Sequence, residues 1–279
     1  MNLTHQNSSV EPSRLIHIGD RENDIYEFFT RCEELGTYYL VRCCVNRLAN
    51  ETTLVDETAC KPVKFRNSIS FTGIGGSEVS TTIGIKYNCL TLKPPIGKAN
   101  DYPEMSVTFL TATETTDPKD REKISWTFIT NLPIRTNKQA LDAIGWYKQR
   151  WKIEVYFKVL KSGLKLEESK LRTSDRLIRL ISICCILAWR IQWITMLNRD
   201  DKKLSPAVAF DETERKILAS CSHKDDTPQL LHDFIAILAC MGGYLARTGD
   251  PPPGNSVIWR GLSKLHDVRK GFELANVGN

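Results

Sequence analysis

No stretch of this chain is both long and free of charge. The two most hydrophobic segments, Leu177–Ile194 and Leu230–Leu245, are interrupted by Arg179 and Arg190 and by Asp233, which argues against membrane spans. The start, Met1–Val10, is polar and has no apolar core of the kind a signal peptide needs. Paired cysteines are also missing: the nine present are an odd number, none is spaced C-x-x-C, and no histidine sits at zinc-finger distance. A disulfide scaffold and a structural zinc site are thereby excluded. Cysteines inside apolar runs, such as Cys184 and Cys185, read as reduced core residues of a cytosolic protein. Internal repeats and low-complexity segments are absent from the sequence as well.

What remains is an ordinary globular composition of 279 residues with a net charge of +5, enough for one large domain or two smaller ones. The charge is unevenly placed. Between Lys148 and Arg179 ten Lys and Arg face four acids (Glu154, Glu167, Glu168 and Asp175), so this stretch alone carries +6. A concentrated positive field suits a polyphosphate partner, although a solvated helical surface would look the same by charge alone.

Hydrophobic periodicity predicts an α/β fold. Arg14–Gly19 reads as a buried strand ending at Asp20. Glu22–Leu35 has helical spacing, with Ile25, Phe28, Phe29 and Cys32 on one side and Gly36 as the stop. Tyr38–Val45, rich in β-branched and aromatic residues, is a second strand, which completes a strand–helix–strand rhythm. Residues 46–132 then read as an antiparallel β insertion whose last strand is Lys123–Thr130. A long helix is expected from Thr136 or Asn137 to Lys161, stopped by Gly163, and further helices over 175–197, 212–219, 229–246 and 256–272. The expected divisions are a strand–helix–strand core (1–45), the β insertion (46–132), core helices (133–200) and a helical C-terminal domain (201–279).

The long helix carries the chemistry. At about 100° per residue, Tyr147, Arg150, Lys158 and Lys161 all fall within roughly 40° of Glu154. That stripe holds one carboxylate, one phenol and three cations. Ile144, Trp151 and Val155 flank it on one side, and Trp146, Ile153, Phe157 and Leu164 on the other. Charges normally face water and apolar residues face inward, so a charged line walled by large side chains is what a cleft would show. The plainer alternative is that Arg150 and Glu154 form a solvated i,i+4 salt bridge. Asp20, at the end of a strand where ligands bind in α/β sheets, and Trp126, just before the helix, supply a wider context.

The spacing Tyr147-x2-Arg150-x3-Glu154-x6-Lys161 resembles the signature of DDE transposases of the insertion-sequence-four family, related to the transposase of the kanamycin-resistance composite transposon. The segment Ile16–Tyr26 is similar to that family's second-Asp motif, and Tyr39–Arg42 to a strand bearing a DNA-contacting arginine. Met241–Arg247, with Trp259–Leu262, is similar to its C-terminal dimerisation segment. The resemblance implies a partial ribonuclease H-like core with a β insertion and a helical dimerisation region. It implies cut-and-paste transposition of double-stranded DNA, acting at transposon ends and target DNA, in the bacterial cytoplasm at the nucleoid.

By the same resemblance Asp20 and Glu154 are catalytic carboxylates that bind Mg²⁺, for which Mn²⁺ can substitute. Hard oxygen ligands suit these ions, and a two-ion site stabilises the attacking and leaving oxygens of an in-line displacement at phosphorus. Arg42, Tyr147, Arg150, Lys158 and Lys161 are implied DNA contacts, and Trp126 an implied stacking surface for an extruded base, against the alternative of ordinary core packing. The first Asp of the triad has no counterpart here, and Asp24 reads as a solvated or capping residue one turn past Asp20. The chain is therefore expected to be a C-terminal portion that cuts DNA poorly alone. The alternative is a non-catalytic DNA-binding or dimerisation module that inhibits a full-length partner, and a ribonuclease H-like nuclease without transposition is a third reading.

Overall fold

The computed structural model describes residues 10–72, 78–199, 203–222 and 227–276, so the polar start at 1–9 lies outside the described residues. The chain divides into two compact units, Met1–Trp151 and Lys152–Asn279.

The N-terminal unit is built on one eight-stranded sheet. Strand β1 (Ile16–Gly19) runs parallel to β2 (Tyr38–Arg42), and helix α1 (Tyr26–Glu34) links them as the sequence suggests. Gly36 turns the chain out of α1 at φ 64°, a left-handed conformation that costs glycine little. Ile25 departs from the expectation: it sits ahead of the helix and is exposed, because a short 3₁₀ turn, Arg21–Asn23, delays the helix start.

Every other strand pairing is antiparallel. The strands β3 (Leu48–Ala49), β4 (Thr52–Thr53), β5 (Phe65–Thr72), β6 (Glu78–Leu92), β7 (Met105–Glu114) and β8 (Ser125–Thr130) follow in chain order. Their order in space is β1-β2-β8-β7-β6-β3-β4, with β5 paired to β6. The insertion is thus continuous with the first strands, because β8 returns to pair with β2 as well as with β7. A short helix, α2 (Leu54–Ala59), capped by Thr53, interrupts the insertion where only strands were expected.

The two-residue period explains how this sheet is sandwiched. Leu40, Tyr87, Leu110 and Phe128 join a core on one face with Ala140, Ala143, Ile144 and Tyr147 of helix α3 (Asn137–Gln149). Their neighbours Tyr39, Val41, Phe109 and Ile129 join the core on the opposite face with Tyr26, Phe29 and Cys32 of α1. Phe29 stacks on Tyr39 with ring centroids 4.7 Å apart. Helix α3 begins at a capping box in which Thr136 accepts from the Gln139 N–H and the Gln139 side chain returns to the Thr136 N–H.

At the far end of β7, the buried Glu114 accepts hydrogen bonds from the Arg121 guanidinium, the Thr81 hydroxyl and the Ile124 N–H, which closes the β7–β8 connection. The guanidinium first, then the hydroxyl, draw its carboxyl from the ordinary 4.5 down to about 2. The folded value lies below the unfolded one, so this contribution to stability is complete above pH 4.5 and is lost as pH falls towards 2. Glu114→Gln is expected to flatten the melting-temperature profile across that interval, checked by thermal melts at stepped pH. A profile as steep as wild type's would refute the assignment.

The C-terminal unit is helical. It comprises α4 (Trp151–Lys158, its first residue closing the other unit), a π turn over Val159–Gly163, α5 (Ser174–Leu197), α6 (Glu212–Ser220), α7 (Leu231–Met241) and α8 (Asn255–Asn276). Its core gathers Val159 and Leu160, Ala188, Ile191 and Ile194 of α5, Leu238 of α7, and Ile258 and Leu265 of α8. The Tyr156 hydroxyl donates to the Cys185 carbonyl at 3.2 Å, and the Gln192 amide to the Lys152 carbonyl at 2.7 Å, so α4 is tied to α5. Despite Arg179 and Arg190, α5 is long and apolar enough to cross a membrane, with a mean hydropathy of 1.7 over eighteen residues. One face of it packs in this core, and Arg190 is bound by the buried Glu214 at 2.7 Å. The outward residues Ile178, Ile183, Ile186 and Trp189 are exposed.

All nine cysteines are free. Cys32 and Cys184 are buried as expected, but Cys44, Cys60, Cys89 and Cys240 are exposed, since lying in or beside an apolar run does not decide which way a side chain points. Burial pushes the Cys32 thiol up to about 11 and that of Cys43 up to about 12, which leaves both as inert thiols.

Candidate phosphate-handling site

Asp20 follows the last residue of β1, at the carboxyl end of the parallel pair. Its carboxylate is held locally. Oδ1 accepts from the Glu22 N–H and from the Asn23 amide, both at 3.2 Å. A Cβ on Gly19 would come within 2.6 Å of the Asn23 Cβ, so glycine at 19 is what allows Asn23 to lie where it reaches Asp20. The Arg150 guanidinium stands 3.6 Å from Asp20 Oδ2, with the aspartate side chain 41% and the arginine 24% exposed. Two partly solvated charges at that distance gain little from each other, about 0–1 kcal/mol. The arginine is supported from below. Its Cζ lies 5.7 Å from the centroid of the Tyr147 ring, which itself meets Phe128 edge-on at 4.7 Å.

Of the residues singled out from the sequence, the N-terminal unit thus brings together Asp20, Tyr147 and Arg150. Tyr147 is buried in the core with its ring beneath the arginine rather than lying along an open stripe. Arg42 is half-buried at the end of β2, opposite Phe128 in the register. Trp126 lies on β8 opposite Ala112, half-buried, and packs against the core that contains Tyr147.

The expected single helix over 136–161 is interrupted at Arg150. There the N–H turns back to the Tyr147 carbonyl at 3.0 Å, the α-helical ladder restarts at Trp151, and the last turn widens into the π turn. Glu154, Lys158 and Lys161 belong to the C-terminal unit and are exposed, and Lys161 pairs with Glu167 at 3.2 Å. The apolar flanks drawn from the helical wheel are not uniformly buried: Trp151 is 60% and Phe157 47% exposed, whereas Ile144 is in the core.

Asp24 requires a correction. Its backbone N–H does cap the 3₁₀ turn Arg21–Asn23, but its side chain is fully buried rather than solvated. Oδ1 takes Arg47 Nε at 3.2 Å and Nη2 at 2.8 Å, and Oδ2 takes the N–H groups of Cys44 and Val45 at 2.7 and 2.8 Å. Burial alone would raise its pKa, but the N–H donors and the guanidinium outweigh that and hold it below the ordinary value. No spacing rule pointed to this pairing, because Arg47 lies beyond β2 and meets Asp24 only through the fold.

Around Asp20 the groups within reach are donors: a guanidinium, an amide and a backbone N–H. Among the described residues no three His, Cys, Asp or Glu side chains gather where they could hold a metal ion.

A carboxylate and a guanidinium thus stand side by side at the carboxyl end of the parallel strand pair, where ligands bind in open α/β sheets. The family model described as the transposase DDE domain matches residues 14–190, and the chain belongs to that family. The match opens just before β1 and closes within α5. Membership connects the chain to transposition and recombination, with the nuclease and strand-transfer chemistry these involve, and implies DNA as a partner. The family typically uses divalent metal ions.

Proposed function

We propose that this chain is the end-binding part of a cut-and-paste transposase of the insertion-sequence-four group, built on part of a ribonuclease H-like core, and that it does not cut DNA by itself. Asp20 and Glu154 are two of its three triad carboxylates. Arg150 grips a phosphate of the transposon end, Tyr147 backs it, Arg42, Lys158 and Lys161 add phosphate contacts, and Trp126 offers a ring to an extruded base. The observation that carries this reading is the Arg150 guanidinium held over Tyr147 beside Asp20. A planar guanidinium can bind a phosphate through two parallel hydrogen bonds.

The proposed inactivity follows from having two of the three triad carboxylates, which would leave the charge of a two-ion site incompletely balanced. The test is a labelled duplex titration at several salt concentrations. Arg150→Ala should weaken binding and reduce the slope of log K against log salt by about 1, roughly one phosphate contact. The chain alone should leave supercoiled DNA unnicked with Mg²⁺ or Mn²⁺. Unchanged binding by Arg150→Ala, or efficient nicking, contradicts the proposal.

The outward apolar residues of α5 favour a second reading, in which the chain pairs with itself or with a full-length transposase and inhibits it. Suppression of transposition when the two are mixed supports that reading, and a strictly monomeric chain removes it.

A further inference from the structure

A pocket of about 430 Å³ opens in the N-terminal unit beside the start of α3. It is lined by Lys61 and Lys64, by Arg135 just ahead of the helix, and by Glu57, a balance of three cations to one acid. Lys64 is steadied over the Tyr87 ring with its Nζ 4.0 Å from the centroid. Tyr87 in turn donates from its hydroxyl to Asn137 at 3.1 Å, which fastens this wall to the first turn of α3. Asn88, also in the lining, has a buried side-chain nitrogen with no hydrogen-bond partner among the described residues. An orphaned donor beside three cations asks for an acceptor that carries negative charge. The positive end of the α3 dipole lies at the same rim.

We propose that this pocket is a second phosphate-backbone contact for duplex DNA, separate from the one at Arg150; the proposal rests on the reading that the chain binds DNA. Spacing supports it. The pocket lies at the amino end of α3 and Tyr147 and Arg150 at its carboxyl end. Thirteen residues of helix span about 20 Å, the axial length of roughly six base pairs. One duplex can therefore reach both ends of α3. Contacts of this kind position the duplex and carry no sequence preference.

The test is anisotropy with a labelled duplex of arbitrary sequence and about 30 base pairs, on the full chain, across a salt series. The triple variant Lys61→Ala/Lys64→Ala/Arg135→Ala should lower the salt slope by about 2 to 3, with affinity falling at least tenfold at low salt. The charge-keeping variant Lys61→Arg/Lys64→Arg should retain the wild-type slope. An unchanged slope in the triple variant, with its circular dichroism and melting intact, overturns the proposal. In that case a lowered slope in Arg150→Ala would leave the proposed function standing, whereas no salt-dependent duplex binding by wild type would remove both.

A second readout needs no variant. Cys89 lines the pocket and is exposed, so its alkylation, followed by peptide mass spectrometry, should slow when duplex is bound. Absence of protection at saturating duplex, or equal protection by inorganic phosphate at matched ionic strength, overturns the proposal.

Discussion

Gly261→Ala is expected to destabilise the C-terminal unit by about 3 kcal/mol, the upper end for forcing extra atoms into a packed interior. A Cβ at 261 would stand 2.2 Å from the Leu238 carbonyl oxygen and 3.0 Å from its carbon, and a Cβ at Gly242 would stand 2.1 Å from the Val257 oxygen. Each glycine of the α7–α8 pair thus faces backbone of the other element, which no rotamer change can move aside. The control lies in the same helix. Gly271 has open space where a Cβ would go, so Gly271→Ala should raise stability by about 0.5–1 kcal/mol through helix propensity alone. Urea denaturation followed by tryptophan fluorescence reads both. Equal midpoints for Gly261→Ala and wild type would show that α7 and α8 are not packed this way. Gly242 and Gly261 fall within the segment that resembles a dimerisation motif, and both make a contact inside the chain.

The second large effect concerns Asp24. Asp24→Ala should cost about 3–5 kcal/mol, because it leaves the Arg47 guanidinium, only 12% exposed, without its counter-charge and strips acceptors from the Cys44 and Val45 N–H groups. The double variant Asp24→Ala/Arg47→Ala should recover part of that loss, since a buried unpaired charge is worse than none. If the two single losses simply added, the pairing would not be the source. The pH dependence has a definite sign. The folded carboxyl titrates below its ordinary 3.8, so the pair's contribution is whole above that pH and declines as pH falls through the lower folded value. Melting temperature in Asp24→Ala should therefore vary less with pH below about 4 than in wild type. Because Asp24 holds Cys44 and Val45, the loop after Arg42 should also lose order, which amide exchange of these two residues would register.

Much of this was legible in the sequence for simple reasons. The strand–helix–strand start follows from short apolar runs separated by a helical period and ended by Gly36. The amino end of α3 follows from Thr136 with Gln139 three residues on. Tyr147 and Arg150 stood out by spacing and Asp20 by its place at a strand end, and the fold brings the three together. The break at Arg150 was not legible, because its residues keep helical propensity and only one hydrogen bond is redirected. Nor could the wheel foresee Trp151 and Phe157 exposed. A wheel assumes that one neighbour covers one face, and which face finds a neighbour is settled by the rest of the chain.

By itself the sequence determined the local states and the chemical inventory: which segments alternate, which turn, where helices begin, and which carboxylates and cations lie near one another along the chain. Those are set by steric and hydrogen-bonding preferences acting over a few residues. Only the tertiary structure decided that β8 joins the insertion to β2, that Asp24 belongs to Arg47, that Gly242 and Gly261 seat one helix against another, and that Lys61, Lys64 and Arg135 share a pocket. Such pairings depend on which distant surfaces bury each other best, and that competition is resolved by the chain as a whole.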